Sequence, residues 1–304
     1  MLVSGPDSTP RNTGRKPRKV SPLSFTHLSG INMFEPLDAA AWLLVPAFFI
    51  VSALITGGNM TMAFMGAAGI VLIMFLVGAS IEVLIESIKD IRGLGTMVGF
   101  ITNGPEALCL LVGLLAGDVL FAASTPLGSN VVNPLMLLSA GLLTGTMAAV
   151  SRTRPRYTLL CILCTALTAV SFFLAGLSMW LWLLVAAAVS FGFFFLRPPE
   201  PGVEHHGEEA LPKAWLVPAG LVVIAAGYFL DPIVTFTAQH SQAPKGLIGF
   251  FVLATLTSWP EFKSTLSLLR RRRPLAAILN ITVSNITNLW LAMAGVTTHY
   301  ALGF

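Results

Sequence analysis

Two glutamates lie 155 residues apart in stretches that are otherwise apolar, and each sits in the same small polar frame. Glu106 closes the run Thr102-Asn103-Gly104-Pro105-Glu106, and Ser129-Asn130-Val131-Val132-Asn133 follows it. Glu261 closes Thr257-Ser258-Trp259-Pro260-Glu261, and Ser284-Asn285-Ile286-Thr287-Asn288 follows. In both copies 23 positions separate the glutamate from the serine, and four separate that serine from the last asparagine. Over 102–133 and 257–288, 10 of 32 positions are identical, and six of those are the polar or proline positions of the frame.

These side chains offer oxygen ligands without imidazole or thiolate, a set that suits hard cations instead of zinc or copper. Two bidentate glutamates would give four oxygens, and two main-chain carbonyls would complete about six, the lower end of calcium coordination. The asparagine and serine oxygens beside them suit sodium. Pro105 and Pro260 each directly precede the glutamate. A proline within a helix leaves the carbonyl four residues earlier without its amide, so main-chain oxygen is expected next to each carboxylate.

The chain that must position these residues reads as an all-α polytopic membrane protein. Its 304 residues are 55% hydrophobic and 11% charged, against about 25% charged for soluble domains. Nine helical spans are expected, at about 38–56, 62–87, 97–117, 119–149, 156–177, 179–196, 214–235, 245–269 and 274–301. Residues 1–36 read as a basic, disordered cytoplasmic tail, 37–57 as a helix preceding the first half at 58–196, and 197–213 as a cytoplasmic linker before the second half at 214–304. With the N-terminus inside, 16 of the 18 lysines and arginines fall on the cytoplasmic side, as the positive-inside rule requires. The third and eighth spans then cross in opposite directions, and the two motif copies are antiparallel, as in inverted-repeat transporters.

Charge balance suggests a mechanism. Two empty carboxylates at mid-membrane cost roughly 5–7 kcal/mol on insertion scales. One Ca2+, two Na+ or two protons would offset that charge. A site that crosses readily only when filled, and whose fillings exclude one another, performs antiport. The net charge of +4 marks helix ends, not a nucleic-acid surface. The chain contains no nucleophile–base–orienter set, no phosphate-binding loop and no dinucleotide fingerprint, so a transporter is expected in place of an enzyme, without a cofactor. Cys109, Cys161 and Cys164 fall in apolar spans and read as packing residues. Asp118 and Asp231 read as outer helix ends, Glu82 and Glu86 as an interfacial helix end, and the tryptophans and phenylalanines as lipid-facing or interfacial. Lys263, about 200° round the helix from Glu261, should face away from the site.

The paired motifs resemble the two alpha repeats of the sodium/calcium exchanger (cation/calcium antiporter) superfamily, over about 62–149 and 214–301. That resemblance implies two inverted five-helix halves with ion sites between them. It implies that Glu106 and Glu261 bind Ca2+ with help from the Thr102 and Thr257 carbonyls. It implies that Asn103, Ser129, Asn133, Ser258, Ser284 and Asn288 line flanking sodium sites, and that Gly99 and Ala254 supply further carbonyls. The chain departs from the pattern at Asn103, where the family has a small residue, at Thr125, and at Val283, where it has glycine. It ends after the second asparagine helix, so the last two helices of the family are not expected. The leading expectation is Na+/Ca2+ exchange by alternating access in a lipid bilayer, read as the bacterial inner membrane. Cation/proton exchange on the same fold and a non-transporting cation-binding scaffold are the alternatives. Oligomeric state is left open.

Overall fold

The computed structural model describes residues 36–88, 93–174, 178–200 and 211–302. Within them the chain is helical, with no strand. The elements are α1 (Pro36–Thr56), α2 (Met60–Ile88), α3 (Leu94–Ile101), α4 (Gly104–Leu115), α5 (Val119–Leu143), α6 (Met147–Arg152), α7 (Pro155–Ser171), α8 (Met179–Phe195), α9 (Leu216–Ser241), α10 (Lys245–Leu247), α11 (Ala254–Thr257), α12 (Trp259–Arg270) and α13 (Pro274–Leu302). A π-helical turn, Ile248–Leu253, joins α10 to α11. Taken as crossings, α3 with α4 and α10 to α12 each make one broken span, so the nine expected spans recur among the described residues. Helices with the length and apolar composition to cross a membrane make this an integral membrane protein. The basic tail, Lys89, Arg92, and linker residues 201–210 with His205 and His206 lie outside the described residues.

The expected span 119–149 is divided. Thr144, Gly145 and Thr146 interrupt it, with Gly145 at φ 65°, and α6 is a separate short helix. A left-handed residue ends the helix, and glycine adopts that conformation without a Cβ clash.

The packing repeats as the sequence does. α2 lies along α9, α5 crosses α13, α3 packs on α13, and its counterpart, the π turn with α11, packs on α5. Exchanging the two halves therefore maps the main contacts onto one another. Gly58 faces His240 at one end of the α2–α9 pair, and Val83 meets Ala219 at the other, so these helices run antiparallel. α13 is the most enclosed of the long spans. One apolar core joins α1, α2 and α9 to the π turn; a second joins α7 and α8 to α5 and α13.

Several details fix the ends of these elements. The Glu200 carboxylate accepts from the amides of Gly95 at 3.0 and 3.1 Å and of Thr96 at 3.4 Å, which caps α3. Asp118 accepts from the Phe121 amide at 2.9 Å, the N-cap expected of a helix end. Asp231 is different: it lies inside α9, just before Pro232, and pairs with Lys245 at 3.7 Å. The helix-end reading of Asp231 is corrected on that ground, since the span continues ten residues past it to Ser241. The aromatic residues also divide. Trp180 is exposed, but Trp182, Phe49 and Phe121 are buried, and Trp182 Nε1 donates to the Thr168 carbonyl at 2.9 Å. A ring that finds a partner for its N–H packs inside as readily as at an interface.

Candidate functional site

The site forms where each broken span interrupts its helix. α3 ends at Ile101 and α4 starts at Gly104; α11 ends at Thr257 and α12 starts at Trp259. The residue at each break has nearly the same backbone, φ −76° and ψ 7° at Asn103, φ −79° and ψ 1° at Ser258. Pro105 and Pro260 thus stand in the first turn of a new helix, where proline is tolerated, instead of inside a continuous one. That corrects the sequence reading of mid-helix prolines, and a break separates Thr102 from Glu106 and Thr257 from Glu261. The carbonyls of Ile101 and Leu256, four residues before each proline, are the ones that proline cannot serve.

Glu106 and Glu261 are wholly buried, as are Thr102, Ser129, Asn130, Asn133, Thr257, Ser258, Ser284, Asn285 and Asn288. Asn103 is 2% exposed. All ten expected site residues are thus buried, and hydrogen bonds or close approaches link Glu106, Ser129, Thr257, Glu261, Ser284, Asn103 and Asn133. Ser129 Oγ donates to Glu106 Oε1 at 2.9 Å, and its oxygen lies 3.4 Å from Thr257 Oγ1. Ser284 Oγ lies 3.4 Å from Glu261 Oε1. The Thr257 hydroxyl lies beside Glu106, and the Thr102 hydroxyl beside Glu261. Ser129 thus holds Glu106 with its proton, Ser284 lies farther from Glu261, and the Thr102 hydroxyl donates to the Val98 carbonyl at 2.9 Å.

One oxygen of each glutamate faces its serine, while Glu106 Oε2 and Glu261 Oε2 have no hydrogen-bond partner. A buried carboxylate oxygen left unpartnered is expensive unless a cation or proton meets it. Asn133 Oδ1, Asn288 Oδ1 and Ser258 Oγ are likewise unpartnered. No cluster of three or more His, Cys, Asp or Glu occurs among the described residues, so any ion here would rest on two carboxylates and neutral oxygens.

Four residues beyond the expected set join the site. Asn130 and Asn285 occupy matching places in the duplicated frame, which was the available signal. Asn285 Nδ2 donates to the Asn130 carbonyl at 3.3 Å and to Thr165 Oγ1 at 3.1 Å. Pro134 cannot supply an amide to that same Asn130 carbonyl, so Asn285 replaces a lost helical bond. Asn280 Nδ2 donates to the Glu261 carbonyl at 3.2 Å and to Ser264 and Thr265, both at 2.9 Å. Asn280 stands at the place that matches Thr125, where the resemblance expects asparagine, and that was its signal; nothing in the frame points to Thr165.

Lys263 turns away from the carboxylates, as expected, and pairs with Glu82 of α2 at 3.3 Å. The cysteines are free, with Cys109 and Cys161 buried. Gly99 and Ala254 lie at helix crossings, Gly99 against Asn280 and Val283, and Ala254 against Gly128.

Two matched broken helices, with one buried carboxylate on each, lie at the centre of the fold. The family model described as sodium/calcium exchanger protein matches residues 213–299, the second repeat. A putative antiporter, CaxA of Alkalimonas amylolytica, is 28% identical over 227 residues, spanning 68% of this chain and 69% of that protein. The crystal structure of the H+/Ca2+ exchanger CAX has the same fold, with TM-score 0.52 and 14% identity, over 88% of this chain and 75% of its own. The chain is thus similar to cation/calcium antiporters, in sequence most clearly over its second repeat and in fold over most of its length.

Proposed function

We propose that the protein exchanges Ca2+ for Na+ by alternating access, with Glu106 and Glu261 as the ligands of the divalent ion. The carrying observation is that each buried glutamate keeps one oxygen without a partner, on opposing repeats, with no ammonium or guanidinium paired to it among the described residues. Two such charges match one Ca2+ and equally two monovalent cations, so the two loads compete for one place. Thr102 and Thr257 add oxygen to this centre, and Ser129 and Ser284 hold the carboxylates in position. Asn103, Asn133, Ser258 and Asn288 border its flanks, where Na+ would be taken. We assign the membrane as a bacterial inner membrane, with the 1–36 tail and the 197–213 linker in the cytoplasm. The distribution of lysine and arginine supports that orientation.

Reconstituted vesicles loaded with Na+ test the reading. An outward Na+ gradient is expected to drive 45Ca2+ uptake. Glu106→Gln and Glu261→Gln are each expected to lower Ca2+ affinity by about 100-fold, the effect of losing a charged ligand worth about 3 kcal/mol. Uptake that survives both substitutions would remove these residues from the ligand set.

Exchange against H+ is the second reading. The similar fold of the H+/Ca2+ exchanger favours it, as does the ability of two protons to neutralise the same pair. A pH gradient that drives Ca2+ flux with Na+ absent from both sides would establish it over the first.

A further inference from the structure

We infer that the cavity where the α5–α6 turn meets the α12–α13 turn binds the phosphate headgroup of an anionic phospholipid through Arg270 and Arg272. The cavity has a volume of about 780 Å3 and is bordered by Leu143, Thr144, Thr146, Leu269 and the two arginines. That volume lies within the range of about 300–1,000 Å3 usual for small-molecule sites. The α5–α6 turn belongs to the first half and the α12–α13 turn to the second, so an occupant touches both. The cavity shares no residue with the carboxylate centre, and the inference does not depend on which ions are exchanged.

The α12–α13 turn repeats the α4–α5 turn bond for bond. The amides of Arg271, Arg272 and Arg273 donate to the carbonyls of Ser267, Leu269 and Leu268 at 3.0, 2.9 and 2.9 Å. Those of Ala116, Gly117 and Asp118 donate to Val112, Leu114 and Gly113 at 3.0, 3.0 and 2.9 Å. The 155-residue offset relates every one of these positions. Gly117 takes the left-handed backbone at φ 69°, and Arg272 takes it at φ 56°. Glycine adopts that conformation without strain, whereas a residue with a Cβ does not. The second repeat therefore carries an arginine where glycine builds the same turn more easily. A topology anchor does not need that place, because Arg270, Arg271 and Arg273 already mark this end of the span. Nor are guanidinium groups needed to close α12, since backbone amides already meet the carbonyls of Ser267, Leu268 and Leu269.

The chemistry of the lining selects the occupant. Neither Arg270 nor Arg272 forms an ion pair among the described residues. The Thr144 hydroxyl donates to the Ala140 carbonyl at 2.7 Å, and Thr146 Oγ1 lies 2.7 Å from Thr144 Oγ1. The threonine hydroxyls thus serve the turn, and the guanidinium groups are the donors left for an occupant. A guanidinium fork matches two oxygens of one phosphate. α5 and α12 both end here, so the cavity sits at the arginine-rich ends of two spans, the level of the headgroups. Leu143 borders the cavity and is 59% exposed, and its neighbour Leu142 is 64% exposed. These leucines offer acyl chains an apolar surface beside the arginines, which a free phosphate ion would not use.

The test counts lipid bound to purified, delipidated full-length protein in detergent, by native mass spectrometry during titration with dioleoyl phosphatidylglycerol. That lipid is expected to bind about tenfold or more tightly than dioleoyl phosphatidylcholine, whose headgroup has no net charge. Arg270→Gln and Arg272→Gly are each expected to weaken its binding by about tenfold, the loss of one charge-assisted contact. Lys213→Gln removes a cation at the end of the 197–213 linker, outside the cavity, and should leave the affinity unchanged. Arg272→Gly also relieves the left-handed backbone, so its unfolding temperature without lipid should equal or exceed that of the unsubstituted chain. That readout separates loss of the headgroup contact from loss of the fold. Equal affinity for the two lipids, or an equal loss from all three substitutions, would overturn the inference, because general surface charge would then explain the binding. Displacement of phosphatidylglycerol by an equal concentration of inorganic phosphate would also overturn it, by making the ligand a free anion.

Discussion

The serine partners of the two glutamates look interchangeable in the sequence, yet their protons go to different acceptors. Ser129 donates to Glu106 at 2.9 Å. Ser284 has one proton for two acceptors, Asn103 at 2.7 Å and Glu261 at 3.4 Å, and the shorter contact takes it. A hydrogen bond to a carboxylate contributes about 1.5–3 kcal/mol, and 1.4 kcal/mol is about tenfold in affinity. Ser129→Ala should therefore weaken equilibrium 45Ca2+ binding by about tenfold or more, through loss of the group that orients Glu106. Ser284→Ala should cost less than about threefold, since Glu261 loses only a long contact. An equal or larger loss at Ser284 would mean that its proton serves Glu261 after all.

At the scale of elements, the departure at Val283 has a packing explanation. A methyl group on Gly99 would lie 3.1 Å from Val283 Cβ and 2.6 Å from the Asn280 carbonyl. At the symmetry-related crossing, one on Gly128 would lie 2.8 Å from Ala254 Cβ and would overlap the Phe250 carbonyl. Positions 99 and 254 correspond in the repeat, as do 128 and 283, so each crossing keeps one glycine but on opposite partners. Losing the glycine at 283 is tolerated because Gly99 lets α3 approach α13 closely. Gly99→Ala and Gly128→Ala are each expected to destabilise by about 1–3 kcal/mol, because backbone stands in the way and cannot rotate aside. A fall in thermal unfolding temperature in detergent would register it, and an unchanged temperature would rule out the close crossings. This also marks what a single sequence makes legible. The frame of Thr, Pro, Glu, Ser and Asn is duplicated, so the two buried glutamates and the polar residues buried with them can be read from it. The helix breaks at Asn103 and Ser258 depend on which backbone bonds close around each proline. The roles of Thr165 and Asn280 depend on which helices meet. Neither is a property of local pattern, and for the same reason α5 looked longer than it is until Gly145 ended it.

At the scale of the molecule, alternating access needs one group of helices to move against another, and the contacts suggest where. α2 and α9 lie antiparallel along their lengths, with Gly66 against Thr237 and Gly69 against Ile233. α1 packs on this pair and on α11, whereas α7 and α8 pack on α5 and α13. The first helix therefore sits on a different face from the one that counterparts of α7 and α8 would occupy. Two ion pairs tie the α2–α9 pair to the spans bearing the site, Glu82 to Lys263 at 3.3 Å and Asp231 to Lys245 at 3.7 Å. Glu82 lies at the Val83–Ala219 end of the α2–α9 pair, whereas Asp231 lies nearer its middle, two residues before Ile233, which packs against Gly69. Opening at the Val83–Ala219 end should then require the Glu82–Lys263 tie to part. The Glu82–Lys263 side chains are 23% and 17% exposed, so the pair is screened and contributes about 1 kcal/mol at most. That energy corresponds to about a fivefold change in the population open at the Arg270 end of α12. A cysteine at Ala79, which lines the crevice beside Glu82, Pro260 and Lys263, reports that opening through its rate of alkylation by a water-soluble maleimide. Cys109, Cys161 and Cys164 are replaced by alanine for this purpose. Glu82→Gln and Lys263→Met should each accelerate labelling by up to about fivefold, and the double substitution should add nothing further, because both remove the same tie. Independent, additive effects would show that the two residues act on opening through different contacts, and unchanged rates would show that α2 and α12 do not separate at this end.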